Sequence, residues 1–117
     1  MKYVVVEPHR SDYPTPIRFT KGTLLEVGPR YEGEPGWQDW YLCSCAGQVP
    51  GWVPAQVIQR LGVGQGRALE QYSAHELDAD PGQLVHKLRQ LNGWLWCRRY
   101  SNGELGWLPL EKLQPMV

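Results

Sequence analysis

The sequence has no excess of charge of either sign. Twelve Lys and Arg residues balance twelve Asp and Glu residues, so the formal net charge at pH 7 is zero. The balance also holds separately within residues 1–61 and within residues 62–117. A nucleic-acid-binding surface normally needs a cluster of basic residues that displaces counterions. The composition therefore predicts no nucleic-acid partner, and it disfavours an anionic membrane surface for the same reason.

The sequence also lacks long apolar runs and is poor in cysteine. Its N-terminal apolar run, Tyr3–Val6, follows a single Lys2 and is broken by Glu7 and Pro8, which makes it too short for the apolar core of a signal peptide. No other run approaches the length of a membrane span. The three cysteines are an odd number and imply no disulfide framework. We therefore expect a cytoplasmic protein that has no contact with a membrane.

Metal-binding and catalytic motifs are missing too. Cys43 and Cys45 fall on one face of a predicted strand, but a structural zinc site usually needs four ligands. Since only Cys97 and scattered histidines remain, we expect three buried, reduced thiols that pack in the core. No motif joins a nucleophile to a base and an orienting carboxylate around any histidine: His9, His75 and His86. We predict no metal, no cofactor and no enzymatic activity.

Helical periodicity is absent as well, since no ten-residue window repeats its apolar residues at about 3.6-residue spacing. Short runs of branched, aromatic or alternating residues, bounded by Gly, Pro, Asn and Asp, predict β-strands instead. Asn102-Gly103 is typical of a hairpin turn, whose two central residues need positive φ. Single 3₁₀ turns are expected only at Ala55–Val57 and Leu110–Lys112. The predicted strands are Tyr3–Val6, Thr23–Val27, Trp40–Cys45, Gly51–Val53, Leu84–Leu88, Leu95–Arg99 and Gly106–Leu108.

One short motif occurs twice in the chain. Gly51-Trp52-Val53-Pro54 returns as Gly106-Trp107-Leu108-Pro109, and each copy follows a Trp-x-x-Cys segment, Trp40–Cys43 or Trp94–Cys97. Such a repeat indicates two copies of one small unit. Gly62–Gly66, in which three of five residues are Gly, is expected to be a flexible linker. We predict a first domain at residues 1–61, a linker at 62–66 and a second domain at 67–117.

The order of the motifs resembles that of SH3 domains, and the nearest match is the bacterial group of tandem variant SH3 proteins. The resemblance implies an all-β protein of two tandem five-stranded SH3-like barrels. It implies no catalysis, and each barrel would carry a groove for an extended peptide. The motifs that carry it are Ala68–Tyr72, Glu76-Leu77, Trp94–Arg98 and Gly106–Pro109 in the second copy, and Ile17–Gly22, Trp40–Cys43 and Gly51–Pro54 in the first.

The resemblance also implies which residues line the grooves. Trp40 and Pro54 would floor the first groove, and Trp94, Pro109 and Tyr72 the second. Some aromatic residues of the family pattern are replaced, which weakens the expectation of Pro-x-x-Pro ligands. Glu70 stands where the family has its first groove Tyr, and Val57 and Lys112 stand where it has the Tyr that follows the motif Pro. His9 or a neighbour replaces the aromatic residue at the start of the first domain.

Strand alternation places Trp94, Trp96 and Arg98 on one face, and Leu95 and Cys97 on the other. A row of two aromatics and a cation suits proline rings, sugars or a peptide that carries a carboxylate. The alternative is that Trp96 packs against the neighbouring domain or under a loop.

Three functions remain open from the sequence. The first is a non-catalytic module that binds an extended peptide or protein segment. The second is a structural module that self-associates through the same aromatic surfaces, which would make the protein a homo-oligomer. The third is cell-wall or glycan binding, which the missing export signal disfavours. Pro14 and Pro16 are expected to stiffen a loop or to act as a polyproline ligand themselves. Glu76, Asp78 and Asp80 would be solvated or attract a basic ligand residue.

Overall fold

The fold is all-β, as the sequence predicts. A computed structural model describes residues 1–117, which form twelve short strands and two single 3₁₀ turns at the predicted positions, Ala55–Val57 and Leu110–Lys112. No helix has the length and apolar character needed to cross a membrane. The strands are β1 (Lys2–Val5), β2 (Arg18–Phe19), β3 (Leu24–Arg30), β4 (Trp40–Ser44), β5 (Gly51–Pro54), β6 (Ile58–Gly62), β7 (Gln65–Ala68), β8 (Tyr72–Ser73), β9 (Leu84–Leu91), β10 (Trp94–Arg99), β11 (Leu105–Pro109) and β12 (Leu113–Pro115).

The chain divides into two compact units whose boundaries differ from the predicted ones. Unit 1 consists of Met1–Pro14 together with His75–Val117, and unit 2 is the continuous segment Thr15–Ala74. Unit 2 is therefore inserted, along the sequence, into unit 1. The predicted division into residues 1–61, 62–66 and 67–117 does not describe this arrangement.

Unit 1 is built on a five-stranded antiparallel sheet with the order β11-β10-β9-β1-β12. The first strand of the chain lies inside this sheet, where Tyr3 is paired with Val85 of β9 and with Pro115 of β12. The core of unit 1 therefore combines residues from both ends of the chain. Its buried side chains include Val5, Leu77, Val85, Leu95, Cys97 and Leu108.

Unit 2 has a second five-stranded sheet, with the order β5-β4-β3-β7-β6, and a short β2-β8 ladder. Strand β7 occupies the position that β1 occupies in unit 1, because Gly66 is paired with Leu25 of β3 and with Arg60 of β6. The first strand of each sequence copy thus pairs with later strands of the other copy. The repeat is visible in the sequence, but this exchange of strands is not.

The glycine-rich segment is a hairpin and not a linker. Strands β6 and β7 are joined by the turn Val63-Gly64, in which Gly64 has a φ of 73°. A two-residue connection makes the two strands antiparallel neighbours. Gly66 is buried, and a Cβ there would lie 2.7 Å from Cγ2 of Ile58 and 3.0 Å from Cγ2 of Val27. The glycines therefore serve a tight turn and close packing within unit 2.

The glycine of the repeated motif has a packing role in both units. A Cβ on Gly51 would lie 2.6 Å from Cγ2 of Ile17, and a Cβ on Gly106 would lie 2.8 Å from Cγ of Leu77. Ile17 and Leu77 are both completely buried. Each motif glycine is thus the place where a preceding extended segment packs directly against the sheet.

We predict that residues 15–74 fold on their own and that residues 1–61 do not reach the same stability. The ends of unit 2 are held together, since the amide of Ala74 donates to the carbonyl of Ile17 at 2.9 Å and β2 pairs with β8. Residues 1–61 lack β7, so β3 and β6 lose the strand between them. Urea unfolding of the two fragments, followed by tryptophan fluorescence, checks this. A cooperative 1–61 fragment beside an unfolded 15–74 fragment would contradict the observed strand pairing.

The cysteines generate a second prediction. Cys43 and Cys97 are completely buried, but Cys45 lies just after β4 and is partly exposed, so the expectation of three buried thiols is wrong for Cys45. Burial raises the pKa of Cys43 to about 11 and that of Cys97 to about 12. In the native protein, a thiol reagent should label Cys45 first, and the other two only after denaturant is added. The variant Cys45→Ser should then show almost no native labelling, and rapid labelling of Cys43 or Cys97 in it would contradict the burial.

The same pKa shifts predict how stability depends on pH. The ordinary thiol pKa is 9.0, so the unfolded chain loses these protons at lower pH than the native protein does. The free energy of unfolding should therefore fall as pH rises from 9.0 toward about 11. Replacing Cys43 and Cys97 by Ala should flatten this part of the stability curve measured by urea unfolding.

Candidate functional site

The two predicted Trp–Pro pairs form as cross-strand neighbours, one in each unit. Trp94 of β10 is paired with Pro109 of β11 in unit 1, and Trp40 of β4 with Pro54 of β5 in unit 2. Both prolines are less than 2% exposed. Pro54 and Pro109 therefore support the tryptophans within the sheet and do not offer an open groove floor.

The two tryptophans differ in exposure. Trp40 is buried, with 6% of its surface exposed, whereas Trp94 is partly exposed. A large aromatic with accessible surface can anchor a ligand, and a buried one mainly contributes to packing. The candidate site is therefore at Trp94, in unit 1.

Tyr72 belongs to unit 2, whereas Trp94 belongs to unit 1. It is in β8 of unit 2, where its hydroxyl donates to the carbonyl of Trp52 at 2.8 Å and its ring lies 5.5 Å from that of Phe19. The reason is the exchange of strands, since residues 65–74 pair within unit 2 and not with β10. Of the three residues predicted to line the second groove, Trp94 and Pro109 are thus in one unit and Tyr72 is in the other.

His9 takes a place beside Trp94. The two ring centroids are 5.7 Å apart, with an edge-on interplanar angle of 79°. The backbone of His9 forms two hydrogen bonds with that of Ala79, both of 2.9 Å. His9 is a buried polar residue, with 8% of its surface exposed. A buried polar group needs partners for its hydrogen-bonding atoms.

Both ring nitrogens of His9 have such partners. Nε2 lies 2.7 Å from Oε1 of Glu76, and Nδ1 lies 3.1 Å from Nζ of Lys112. An ammonium group can only donate, so Nδ1 accepts from Lys112 and the Nε2–H group donates to Glu76. Lys112 ends the 3₁₀ turn that follows Pro109. The two departures from the aromatic pattern, His9 and Lys112, therefore contact each other, and His9 also contacts Trp94. The sequence did not indicate this contact, because the two residues were assigned to different domains.

The acidic residues near this site have partners within unit 1. Besides Glu76, Asp78 accepts a hydrogen bond from the amide of Ser11 at 2.8 Å. Asp80 forms an ion pair with Arg10 at 2.7 Å, in which both side chains are 58% exposed. Each of these carboxylates therefore has a partner within unit 1, and the pair of Asp80 with Arg10 is also solvent-exposed.

The alternation predicted along β10 is observed. Leu95 and Cys97 are completely buried, whereas Trp94, Trp96 and Arg98 have exposed surface on the other face. Trp96 contacts Trp107 on the neighbouring strand β11, with ring centroids 5.2 Å apart. Arg98 is exposed opposite Leu105 of β11 and His86 of β9.

Unit 2 carries an aromatic cluster that sequence reasoning did not single out. The ring of Tyr31 lies 5.9 Å from that of Trp37 and 5.4 Å from that of Trp52, and all three are partly exposed. Tyr31 and Trp37 lie on opposite sides of the turn residues 33–36, Gly-Glu-Pro-Gly. This spacing is the one feature of the sequence that could have indicated an aromatic cluster here. Their contact with Trp52 depends on the tertiary structure.

The segment with Pro14 and Pro16 connects the two units. The chain passes from unit 1 to unit 2 between Pro14 and Thr15, and it returns between Ala74 and His75. Residues 13–15 are exposed. Two prolines limit the backbone conformations available to this connection.

No three or more His, Cys, Asp or Glu side chains are grouped so that they could hold a metal ion. His75 pairs with Glu104 at 2.9 Å, and His86 lies against the ring of Tyr100, so the three histidines are at separate places.

A comparison with protein families assigns the chain to a family. The family model of the variant SH3 domain matches residues 2–61, a range that runs from β1 into β6 and covers just over half of the chain. No curated protein and no solved structure shows a significant match to the chain. The matched range begins in unit 1 and continues through most of unit 2, so the family pattern follows the order of the chain and not the strand pairing. The chain belongs to the variant SH3 domain family.

Proposed function

We propose that the protein is a non-catalytic module that binds an extended peptide segment on unit 1, with Trp94 as the anchor. The single observation that carries this proposal is the partly exposed Trp94 beside the buried His9, whose other ring nitrogen contacts Lys112. SH3 domains generally bind peptides through aromatic side chains. Aromatic anchors also dominate the free energy of peptide interfaces.

The proposal includes two SH3-like units in the chain. Residues 84–115 repeat the order of strands and the 3₁₀ turn of residues 24–62, and the equivalent core residues Val53 and Leu108 are both completely buried. Each unit would be a five-stranded SH3-like barrel that takes its first strand from the other sequence copy. The ligand site is assigned to unit 1, because Trp40 of unit 2 is buried.

We predict that Trp94→Ala removes peptide binding at little cost in stability. Binding is measured on an array of proline-containing decapeptides, and stability by thermal unfolding. Trp94→Ala should lose at least tenfold in affinity, and its loss of stability should stay well below the roughly 3–5 kcal/mol of emptying a core Trp. The matched control Trp96→Ala, on the same face of β10, should bind nearly as well as the native protein.

Leu108→Ala should show the opposite behaviour. Leu108 is completely buried, so its truncation should cost about 2–5 kcal/mol of stability. The protein that stays folded at low temperature should keep its affinity for the array peptides. If Trp94→Ala unfolds unit 1, or if it binds like the native protein, Trp94 is not the anchor.

A second candidate function, self-association, is favoured by an apolar surface on unit 2. Leu24 and Leu61 are 63% and 44% exposed, and they line a concavity of about 430 Å³ together with Cys45 and Ala46. Contiguous exposed apolar surface is typical of protein interfaces. On this alternative, the protein should sediment as a dimer and the Leu24→Ser variant as a monomer with an unchanged circular dichroism spectrum. A native monomer at every accessible concentration excludes it.

A further inference from the structure

The charges around Trp94 are arranged differently from what the sequence indicates. Three acidic side chains follow the return of the chain to unit 1, and a site with free carboxylates would attract a basic ligand. In the structure Glu76 accepts from His9, Asp78 from the amide of Ser11, and Asp80 pairs with Arg10. Each of these carboxylates therefore has a hydrogen-bond or ion-pair partner within unit 1.

Lys112 is a cation without an ion-pair partner, and it contacts the same histidine as Trp94. Its ammonium donates to Nδ1 of His9 at 3.1 Å, and no carboxylate oxygen lies within salt-bridge distance of it. An ammonium has three N–H donors, of which this contact uses one. The residue lies at the end of the 3₁₀ turn and is partly exposed.

His9 links this ammonium to Trp94, since its ring contacts both. The His9 ring is held by the edge contact with Trp94 and the hydrogen bond to Glu76, and its backbone by the pairing with Ala79. A lysine side chain is otherwise flexible and loses conformational entropy when it binds a ligand. Anchoring Nζ on a rigid acceptor reduces that cost.

We propose that this site selects a peptide with a carboxylate, which binds Lys112 while a neighbouring apolar residue packs on Trp94. The inference rests on the proposed function and names the class of ligand for the same site. A hydrogen bond to a charged partner contributes about 1.5–3 kcal/mol, which corresponds to roughly tenfold or more in affinity. The carboxylate can belong to an Asp or Glu side chain or to a peptide C-terminus, and the test separates these sources.

The test uses decapeptides with a common Pro-x-x-Pro core, acetylated and amidated, in which one flanking position at a time is Glu, Gln or Lys. A fourth series has Gln at the flanks and a free C-terminal carboxylate. We expect the best Glu peptide to bind about tenfold tighter than its Gln equivalent, and the Lys peptide to bind more weakly still. If the free C-terminus alone restores tight binding, the carboxylate that the site recognises is terminal.

Variants of Lys112 assign any preference to this side chain. Lys112→Gln should remove the tenfold advantage of the carboxylate peptide and leave the affinity for the Gln peptide unchanged. Lys112→Arg should retain the preference, and Lys112→Glu should reverse it in favour of the Lys peptide. The matched control is Lys2→Gln, which removes an exposed cation of β1 that lies over the ring of Tyr100. This control should leave the preference intact.

The outcomes separate the two proposals. Trp94-dependent binding with equal affinity for the Glu, Gln and Lys peptides overturns the charge inference and leaves the proposed function standing. Absence of any Trp94-dependent binding overturns both. If Lys112→Gln proves unstable in thermal unfolding, the salt dependence of the native protein decides. A preference for carboxylate that does not weaken as salt is raised from about 0.05 to 0.5 M would contradict an ionic contact at a partly exposed site.

Discussion

The tight hairpin between β6 and β7 is the constraint on which the rest of the structure depends. A turn of two residues leaves β7 no choice but to lie antiparallel beside β6. Strand β7 also pairs with β3 on its other side, so that Leu25, Gly66 and Arg60 lie in one row across three strands. The place next to β3 and β6 is then occupied, and β1 must find its partners elsewhere. It finds them in β9 and β12.

This exchange explains why a single chain carries a family pattern that does not coincide with either of its units. The match to the variant SH3 domain begins at β1 and ends in β6, so it follows the order of the strands along the sequence of one SH3 domain. Strand pairing, however, depends on which edges are free and on the length of the connections, and not on sequence order alone. Two similar copies in one chain have equivalent strand edges. The shortest connection, between β6 and β7, therefore determines which strand pairs at each edge.

The exchange also determines the chemistry near Trp94. Because β1 belongs to unit 1, the chain that follows it brings His9 to Trp94, Glu76 and Lys112. Because β7 belongs to unit 2, Tyr72 packs within unit 2, where its hydroxyl donates to the backbone carbonyl of Trp52. An aromatic surface of the usual family type is thereby replaced in unit 1 by one aromatic side chain with a buried imidazole and an ammonium.

The sequence by itself determined the class of fold, most of the strands, both 3₁₀ turns, the family and the alternation along β10. These are properties of neighbouring residues: the spacing of apolar side chains, the turn residues between them and the order of short motifs. Only the tertiary structure decided which strands pair, that Pro54 and Pro109 are covered, and that His9 meets Lys112. Such features depend on contacts between residues far apart in the chain. Two similar copies with equivalent edges give the same pattern of strands whichever way the strands are shared. The turn at Val63-Gly64 selects one pairing, but its glycine-rich sequence is equally typical of a flexible linker.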